Sequence, residues 1–298
     1  MYAQFFGNYL LSRKVITSEQ LILAMKQKSI DHMKLGTLAI HAGYMTANEV
    51  DQIVIQQTHQ DKRFGELAVK EGYLTQSQVT ALVKDQGPDF LLLGQVFVDQ
   101  GIIDNERLQE LIIDYQSENE LDDYSISEET EENVQHLIEN FLIATERPLS
   151  PFEVSFLQLL FNNLVRFIGD DFTPIYPYPC NEYPTNYCVS QQIHGEFNIK
   201  IYIDMSEETA ISFASRYVGE TFEEFDEYVQ SSVDDFLNLH NGLFNVNISN
   251  ERSVELLLDP PYTEDNPLLI FNDTETYLLP VVFPFGMINF ILEITVPG

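Results

Sequence analysis

Leu35-Gly36-Thr37-Leu38-Ala39-Ile40 and, 29 residues on, Phe64-Gly65-Glu66-Leu67-Ala68-Val69 decide the fold of the first part of this 298-residue chain. The same pattern recurs at that interval on either side, as Phe6-Gly7-Asn8-Tyr9-Leu10-Leu11 and Leu93-Gly94-Gln95-Val96-Phe97-Val98. Glycines 7, 36, 65 and 94 therefore mark an internal repeat. Each copy runs on through a turn into a second apolar-periodic segment, as in Gly43-Tyr44-Met45-Thr46-Ala47-Asn48-Glu49-Val50. Thr17, Thr46, Thr75 and Asp104 stand where a helix N-cap belongs. Gln20, Glu49 and Gln78 follow three residues after the threonines, and Arg107 after the aspartate, so the first three read as capping boxes. Gly43, Gly72 and Gly101 would close the preceding short helix in a left-handed conformation, a place taken by Lys14 in the first copy. Each copy is a predicted helical hairpin too small to bury its own apolar stripe. Four copies should stack and share one core, the first and last serving as atypical caps.

Beyond the repeats the composition shifts. The whole chain carries 15 basic against 47 acidic residues. Residues 1–116 hold 10 basic and 14 acidic residues, and 117–298 hold 5 and 33, which marks two modules. Such an acidic surface repels nucleic-acid phosphates and anionic lipid and offers no counterion-release term, so nucleic acid is not expected as a partner. No run reaches the roughly 18 apolar residues that span a bilayer. The opening residues lack a secretory pattern. Both point to a cytoplasmic protein without membrane insertion. Cys180 and Cys188, in a loop rich in Pro, Tyr and Asn, read as free thiols. The histidines at 32, 41, 59, 136 and 194 share no metal-ligand spacing, no Gly-x-Ser-x-Gly supports a serine nucleophile, and no Gly-x-x-x-x-Gly-Lys-Ser/Thr supports an ATPase.

Three segments follow from the pattern: the repeats at 1–116, an acidic connection at 117–149, and a second domain at 150–298. The connection opens with a charge-dense run from Ser117 to Glu132, suited to a solvated spacer. Val134, Leu137, Ile138, Phe141 and Leu142 then predict a helix within 133–144. In the second domain, a helix from Phe152 is expected to end at Gly169. Val189–His194 and Phe197–Asp204 read as a hairpin around Gly195-Glu196, and Ser206 caps a helix with Thr209 at its third position. Further strands are expected at Ser253–Leu258, Glu275–Val282 and Gly286–Val296, the last two joined by Phe283-Pro284-Phe285. The fold class is thus two domains: an all-α domain of stacked helical hairpins, then an α+β domain with helices packed on an antiparallel-rich sheet.

Between these strands lies the helical run from Val229 to Gly242. Phe225, Val229, Val233, Phe236 and Leu237 are its expected buried stripe, and Ser231, Asp235, Asn238 and Gly242 follow one another along another face. A carboxylate and an amide three residues apart share a helix face and can direct a water molecule. His240, two positions from Asn238, points well away from it and reads as packing or solvated. Asn241, Asn245, Asn247 and Asn250 are expected to end the helix and build a turn.

Asp235-x-x-Asn238 with Gly242, together with Met205-Ser-Glu-Glu-Thr-Ala210 and the preceding strand pair, resembles the CheC/CheX chemotaxis phosphatases over residues 150–298. The resemblance implies a CheY-like response regulator as partner. Asp235 would pair with the receiver's lysine, and Asn238 would orient water against the aspartyl phosphate. Mg2+ is then expected on the receiver, with no cofactor of the chain's own. Family members normally carry glutamate at the acid position. Asp235 falls back by about 1.5 Å, so a non-catalytic adaptor or scaffold in chemotaxis, motility or secretion signalling is the alternative, and docking to a second copy as a homodimer belongs with it. The helix from Phe152 offers Leu159-x-x-Asn162 and Leu160-x-x-Asn163 without an acid, so one site is expected. Residues 5–116 resemble the N-terminal domains of type II secretion and type IV pilus ATPases, with Gln27, Gln56 and Gln86 near the ends of the second helices. Some of those domains bind cyclic di-GMP through an arginine; Lys34 and Arg63 are the cations at that position here.

Overall fold

A computed structural model describes residues 2–28, 32–60, 62–84, 89–118, 151–195, 198–252, 256–272 and 275–295. The acidic run beyond Glu118, the expected helix at 133–144 and His136 lie outside the described residues. The described chain forms two compact units, one helical and one built on a sheet; residues 3–8 count with the sheet unit. In that unit the Phe5 ring meets Phe161 edge-on at 5.5 Å between centroids.

Among the described residues before 119 there are eight helices: α1 (Tyr2–Ser12), α2 (Ser18–Lys28), α3 (Leu35–His41), α4 (Ala47–Gln57), α5 (Phe64–Lys70), α6 (Gln76–Lys84), α7 (Asp89–Asp99) and α8 (Asn105–Glu118). Their ends are set locally. Thr46 and Glu49 form the reciprocal capping box; Thr17 with Gln20 and Thr75 with Gln78 make the same pair of bonds. Asp104 accepts from the Arg107 amide at 2.7 Å. Gly43, Gly72 and Gly101 take φ of 67°, 81° and 71°, and Lys14 takes 56°, the left-handed stops expected of them.

The repeat glycine has a packing reason. A Cβ on Gly36 would lie 2.8 Å from Val50 Cγ1, one on Gly65 3.0 Å from Val79 Cγ1, and one on Gly94 2.5 Å from Leu108 Cδ1. In these three copies the partner stands at the same offset along the chain, so the glycine lets the first helix of the hairpin touch the second. The arrangement departs from an open stack with capped ends. α7 of the fourth copy packs on α2 of the first, and α4 packs on α8. Gln95 reaches back to accept from the Lys34 amide at 2.7 Å and to donate to the His32 carbonyl at 3.0 Å. Four hairpins with apolar faces at both ends of the row bury more surface by closing on one another than by exposing two caps.

In the second unit, α9 (Pro151–Phe167), α10 (Glu207–Val218) and α11 (Glu227–Arg252) accompany the strands β1 (Thr173–Pro174), β2 (Tyr178–Pro179), β3 (Glu182–Pro184), β4 (Tyr187–His194), β5 (Asn198–Met205), β6 (Leu257–Leu258), β7 (Tyr262–Thr263), β8 (Leu268–Ile270), β9 (Glu275–Phe283) and β10 (Gly286–Thr295). The sheet runs β1-β9-β10-β5-β4-β6, with β2 on β9 and β7 on β4, and every pair is antiparallel. β3 and β8 form a separate antiparallel pair. Cys188 lies in β4 and not in a loop; both cysteines are buried and free.

Period-two alternation sorts the strands between two cores. Cys188, Tyr202, Leu278 and Ile291 join Tyr183, Leu269 and Phe271 in a cluster beneath the β3–β8 pair. Residues of the opposite parity, Val189 and Ile193 of β4 among them, are fully buried, and α11 packs on β4. Ser206 caps α10 by accepting from the Thr209 amide, and Gly219 ends it at φ 79°. α9 and α10 flank α11 through aromatic edges: Phe156 to Phe244 at 5.2 Å and Phe213 to Phe236 at 5.1 Å. Two such pairs add about 0.5–1.5 kcal/mol each beyond area burial and fix the roll of α11.

Candidate functional site

Asp226 accepts from the Tyr228 and Val229 amides at 3.0 and 3.1 Å and so starts α11. Val229, Val233, Phe236, Leu237, Phe244 and Ile248 then recur at helical spacing and are all buried. Phe225 precedes the helix and is only half-buried against Tyr187, so it does not belong to that stripe. The asparagines do not end the helix either; α11 continues past all four to Arg252. Phe244 and Ile248 keep the apolar stripe going, while Asn241 and Asn245 find tertiary partners that outweigh their weak helix propensity. The strand expected at Ser253–Leu258 is limited to Leu257–Leu258 among the described residues.

With that roll fixed, Ser231, Asp235 and Asn238 are exposed and Gly242 is half-exposed. Asp235 and Asn238 therefore emerge together, and a Cβ on Gly242 would meet nothing within 4 Å. Each of these two side chains is held from a neighbouring element. Tyr217 of α10 donates its hydroxyl to Asp235 Oδ2 at 2.6 Å. Its ring lies between Phe213, Phe236 and Phe167, so the hydroxyl has little freedom. Burial, then the bond and charge of Asp235, push the Tyr217 phenol well above its usual pKa, so it remains a donor. From β4, Gln191 donates to Asn238 Oδ1 at 2.8 Å and to the Asp259 carbonyl at 2.7 Å, and accepts from Asn241 Nδ2 at 2.8 Å.

Behind the ridge lie buried groups. His240 is wholly enclosed, edge-on to Phe156, with Asn163 against its Nδ1 at 3.0 Å. Burial lowers its pKa to about 3, so it is a neutral packing residue rather than a base for the exposed face. Asp234, beside the site residue, has a buried Oδ1 without a hydrogen-bond partner, and desolvation raises its pKa.

Lys34 and Arg63 immediately precede α3 and α5 and give no side-chain caps. The Lys34 ammonium is bound to Asp99 at 2.5 Å, while Arg63 is exposed. Among the described residues no three His, Cys, Asp or Glu side chains are placed to hold a metal ion, and no helix is long and apolar enough to cross a membrane.

The ridge can accept a cation at Asp235 and present an amide at Asn238 to water or an anion, with open space at Gly242. Sequence reading placed these three residues on one face of the helix and did not anticipate Tyr217 or Gln191 beside them. Gln191 did carry a signal: it shares strand parity with the buried Val189 and Ile193, where a polar side chain needs a partner.

No curated protein matches the chain. Among solved structures it is similar to the chemotaxis protein CheX of Desulfovibrio desulfuricans (15% identity, 49% of this chain and 99% of the other, TM-score 0.43). A CheC-like superfamily protein from Shewanella sp. PV-4 is similar at 18% identity over 50% of this chain and 100% of the other, with a TM-score of 0.44. The CheX–CheY–BeF3–Mg2+ complex from Borrelia burgdorferi is similar at 19% identity over 49% and 98%, with a TM-score of 0.42. The expected likeness of residues 5–116 to secretion and pilus ATPases is not shown by these comparisons. Gln191, Tyr217, Asp235, Asn238 and Gly242 all fall within residues 187–278, the stretch that matches the family model described as Chemotaxis phosphatase CheX.

Proposed function

We propose that the second unit docks α11 beside the phosphorylated aspartate of a CheY-like receiver and hastens loss of its phosphate. The supporting observation is that Asp235 and Asn238 are exposed on one face, a turn apart, and that each is tied to a packed neighbour. Hydrolysis of an acyl phosphate needs an in-line water and charge neutralisation more than covalent help. Asp235 pairs with the receiver's lysine and sets the register of docking. The Asn238 amide holds a water whose oxygen attacks phosphorus as the bond from phosphorus to the aspartate oxygen breaks. The aspartate leaves as carboxylate, and the water's proton ends on phosphate. Mg2+ is supplied by the receiver. The helical repeats act as the tether or regulatory arm; Lys34, taken up by Asp99, has little to offer a cyclic dinucleotide.

A second reading has its own observation. Asp235 is short and already accepts from Tyr217, an arrangement suited to a docking adaptor without turnover. One experiment separates the two: phosphate release from a phosphorylated receiver with wild type, Asn238→Ala and Asp235→Glu. On the catalytic reading wild type accelerates release and Asn238→Ala loses about 10²-fold. A silent wild type that gains activity in Asp235→Glu establishes the adaptor, and equal rates for wild type and Asn238→Ala remove the enzymatic reading.

A further inference from the structure

A terminal amide can sit in either of two orientations that differ by a half-turn, and only hydrogen-bond partners choose between them. At Asn238 the choice decides the chemistry. With Nδ2 outward the residue donates to an anion or to the oxygen of a water; with Oδ1 outward it would set a lone pair against phosphate oxygens.

The chain of partners leaves one solution. The Asp259 backbone carbonyl can only accept, so the Gln191 atom 2.7 Å away is the donor, Nε2. That same Nε2 lies 2.8 Å from the Asn238 amide, so the Asn238 atom facing it is the acceptor, Oδ1. Nδ2 is then left on the solvent side. The other end of Gln191 agrees: Oε1 accepts from Asn241 Nδ2 at 2.8 Å. Gln191 is 1% exposed and Asn241 0% exposed, so water does not compete for these bonds. The loop carbonyl is itself held, because the Asp259 amide donates to the Gln192 carbonyl at 3.0 Å. Orientation thus passes from the strand backbone through Asp259 and Gln191 to an exposed side chain.

We propose that Gln191 is a positioning residue of this site, fixing Asn238 with its carbonyl inward and its NH2 toward the docked phosphoryl group. Its kinetic consequence rests on the phosphatase reading; its structural content does not.

Two measurements test it. Side-chain amide exchange by 15N NMR on the full chain reads the orientation without any receiver. The Gln191 NH2, with both hydrogens bonded, should exchange at least tenfold more slowly than exposed glutamines, and the Asn238 NH2 should exchange freely. Asn238→Asp, which still accepts from Gln191, should keep that protection, and Asn238→Ala should lose it. A protected Asn238 NH2 with an unprotected Gln191 NH2 overturns the proposal. In the release assay, Gln191→Met and Gln191→Glu should lower kcat at least tenfold while KM for the phosphorylated receiver changes less than twofold. A merely structural role would move both or neither, and an unchanged kcat in a folded Gln191→Met sinks the positioning role while leaving the phosphatase standing. A wild type that dephosphorylates no receiver sinks the phosphatase, and the exchange result then decides the orientation alone, as it does if the Gln191 variants fail to fold.

Discussion

Gly242 should be the residue whose replacement stabilises the fold and damages the function. It lies inside the 26-residue α11, where glycine costs about 0.5–1 kcal/mol relative to alanine because the unfolded chain loses more freedom on ordering. Nothing among the described residues requires that glycine: its φ is not left-handed, and an added Cβ meets no atom within 4 Å. Gly242→Ala should therefore raise stability by about 0.5–1 kcal/mol. For a unit of this size that is about 2–4 °C in Tm per kcal/mol. Gly242→Leu should keep most of the gain, since leucine is nearly as good a helix former. Its side chain would stand one turn beyond Asn238, in the space left for a docked receiver, and raise KM for the phosphorylated receiver at least tenfold. Calorimetry checks the first expectation, and the phosphate-release assay the second. A destabilised Gly242→Ala would show a packing role, and a Gly242→Leu that binds and turns over normally would refute the idea that the ridge is the docking face.

Asp234→Asn should stabilise the second unit at neutral pH. The folded-state pKa of Asp234 is raised above its ordinary value of 3.8 by desolvation, so burial penalises the charged form. The penalty is fully present above the folded pKa and is relieved as pH falls toward the unfolded value; the gain in urea midpoint should be largest near pH 7 and shrink toward pH 4. A gain that does not vary with pH would contradict this account. In the helical unit, alanine at the repeat glycines should destabilise in the order Gly94, Gly36, Gly65, following the 2.5, 2.8 and 3.0 Å approaches of a Cβ to Leu108, Val50 and Val79. Overpacking of about 1–3 kcal/mol at Gly94 should be recovered in part by Leu108→Ala, as thermal melts of the single and double variants would show, and a purely additive double variant would argue against the contact.

Helix ends in the repeats were legible because their causes are local: Thr46 with Glu49, or a left-handed Gly43, needs only a few neighbouring residues. Strand pairing around Gly195 and the Ser206 cap were legible for the same reason. The meeting of Gly94 with Leu108 was not, because the interval alone reveals a repeat and not which side chain the glycine admits. Closure of the first copy on the fourth was also hidden, since it depends on α7 packing on α2, far away in sequence, and Gln95 of α7 likewise satisfies backbone groups just before α3. At the site, the outward face of α11 followed from the apolar period, whereas the helix length did not. Asn241 reads as a helix breaker until Gln191 is placed opposite it.

The polar groups beneath the ridge argue that this helix is shaped by more than stability. His240 Nε2 and Asn241 Oδ1 are buried without hydrogen-bond partners among the described residues, and an unsatisfied buried polar group costs about 1–3 kcal/mol. Apolar residues at 240 and 241 would remove those two atoms but would strand the buried partners of these side chains, Asn163 Nδ2 and Gln191 Oε1. Asn241 has a use that an apolar residue could not meet: it occupies the acceptor end of Gln191, whose donor end holds Asn238. Were Asn241 replaced by leucine, the Gln191 oxygen would be left unpaired in the core, and the side chain could reorient to satisfy it at the expense of the bond to Asn238. Asn241→Leu should accordingly leave α11 folded but release the Asn238 amide from its single orientation. A buried asparagine three residues beyond an exposed one thus extends the site inward, and the cost borne in the core is the physical mark of a side chain held ready at the surface.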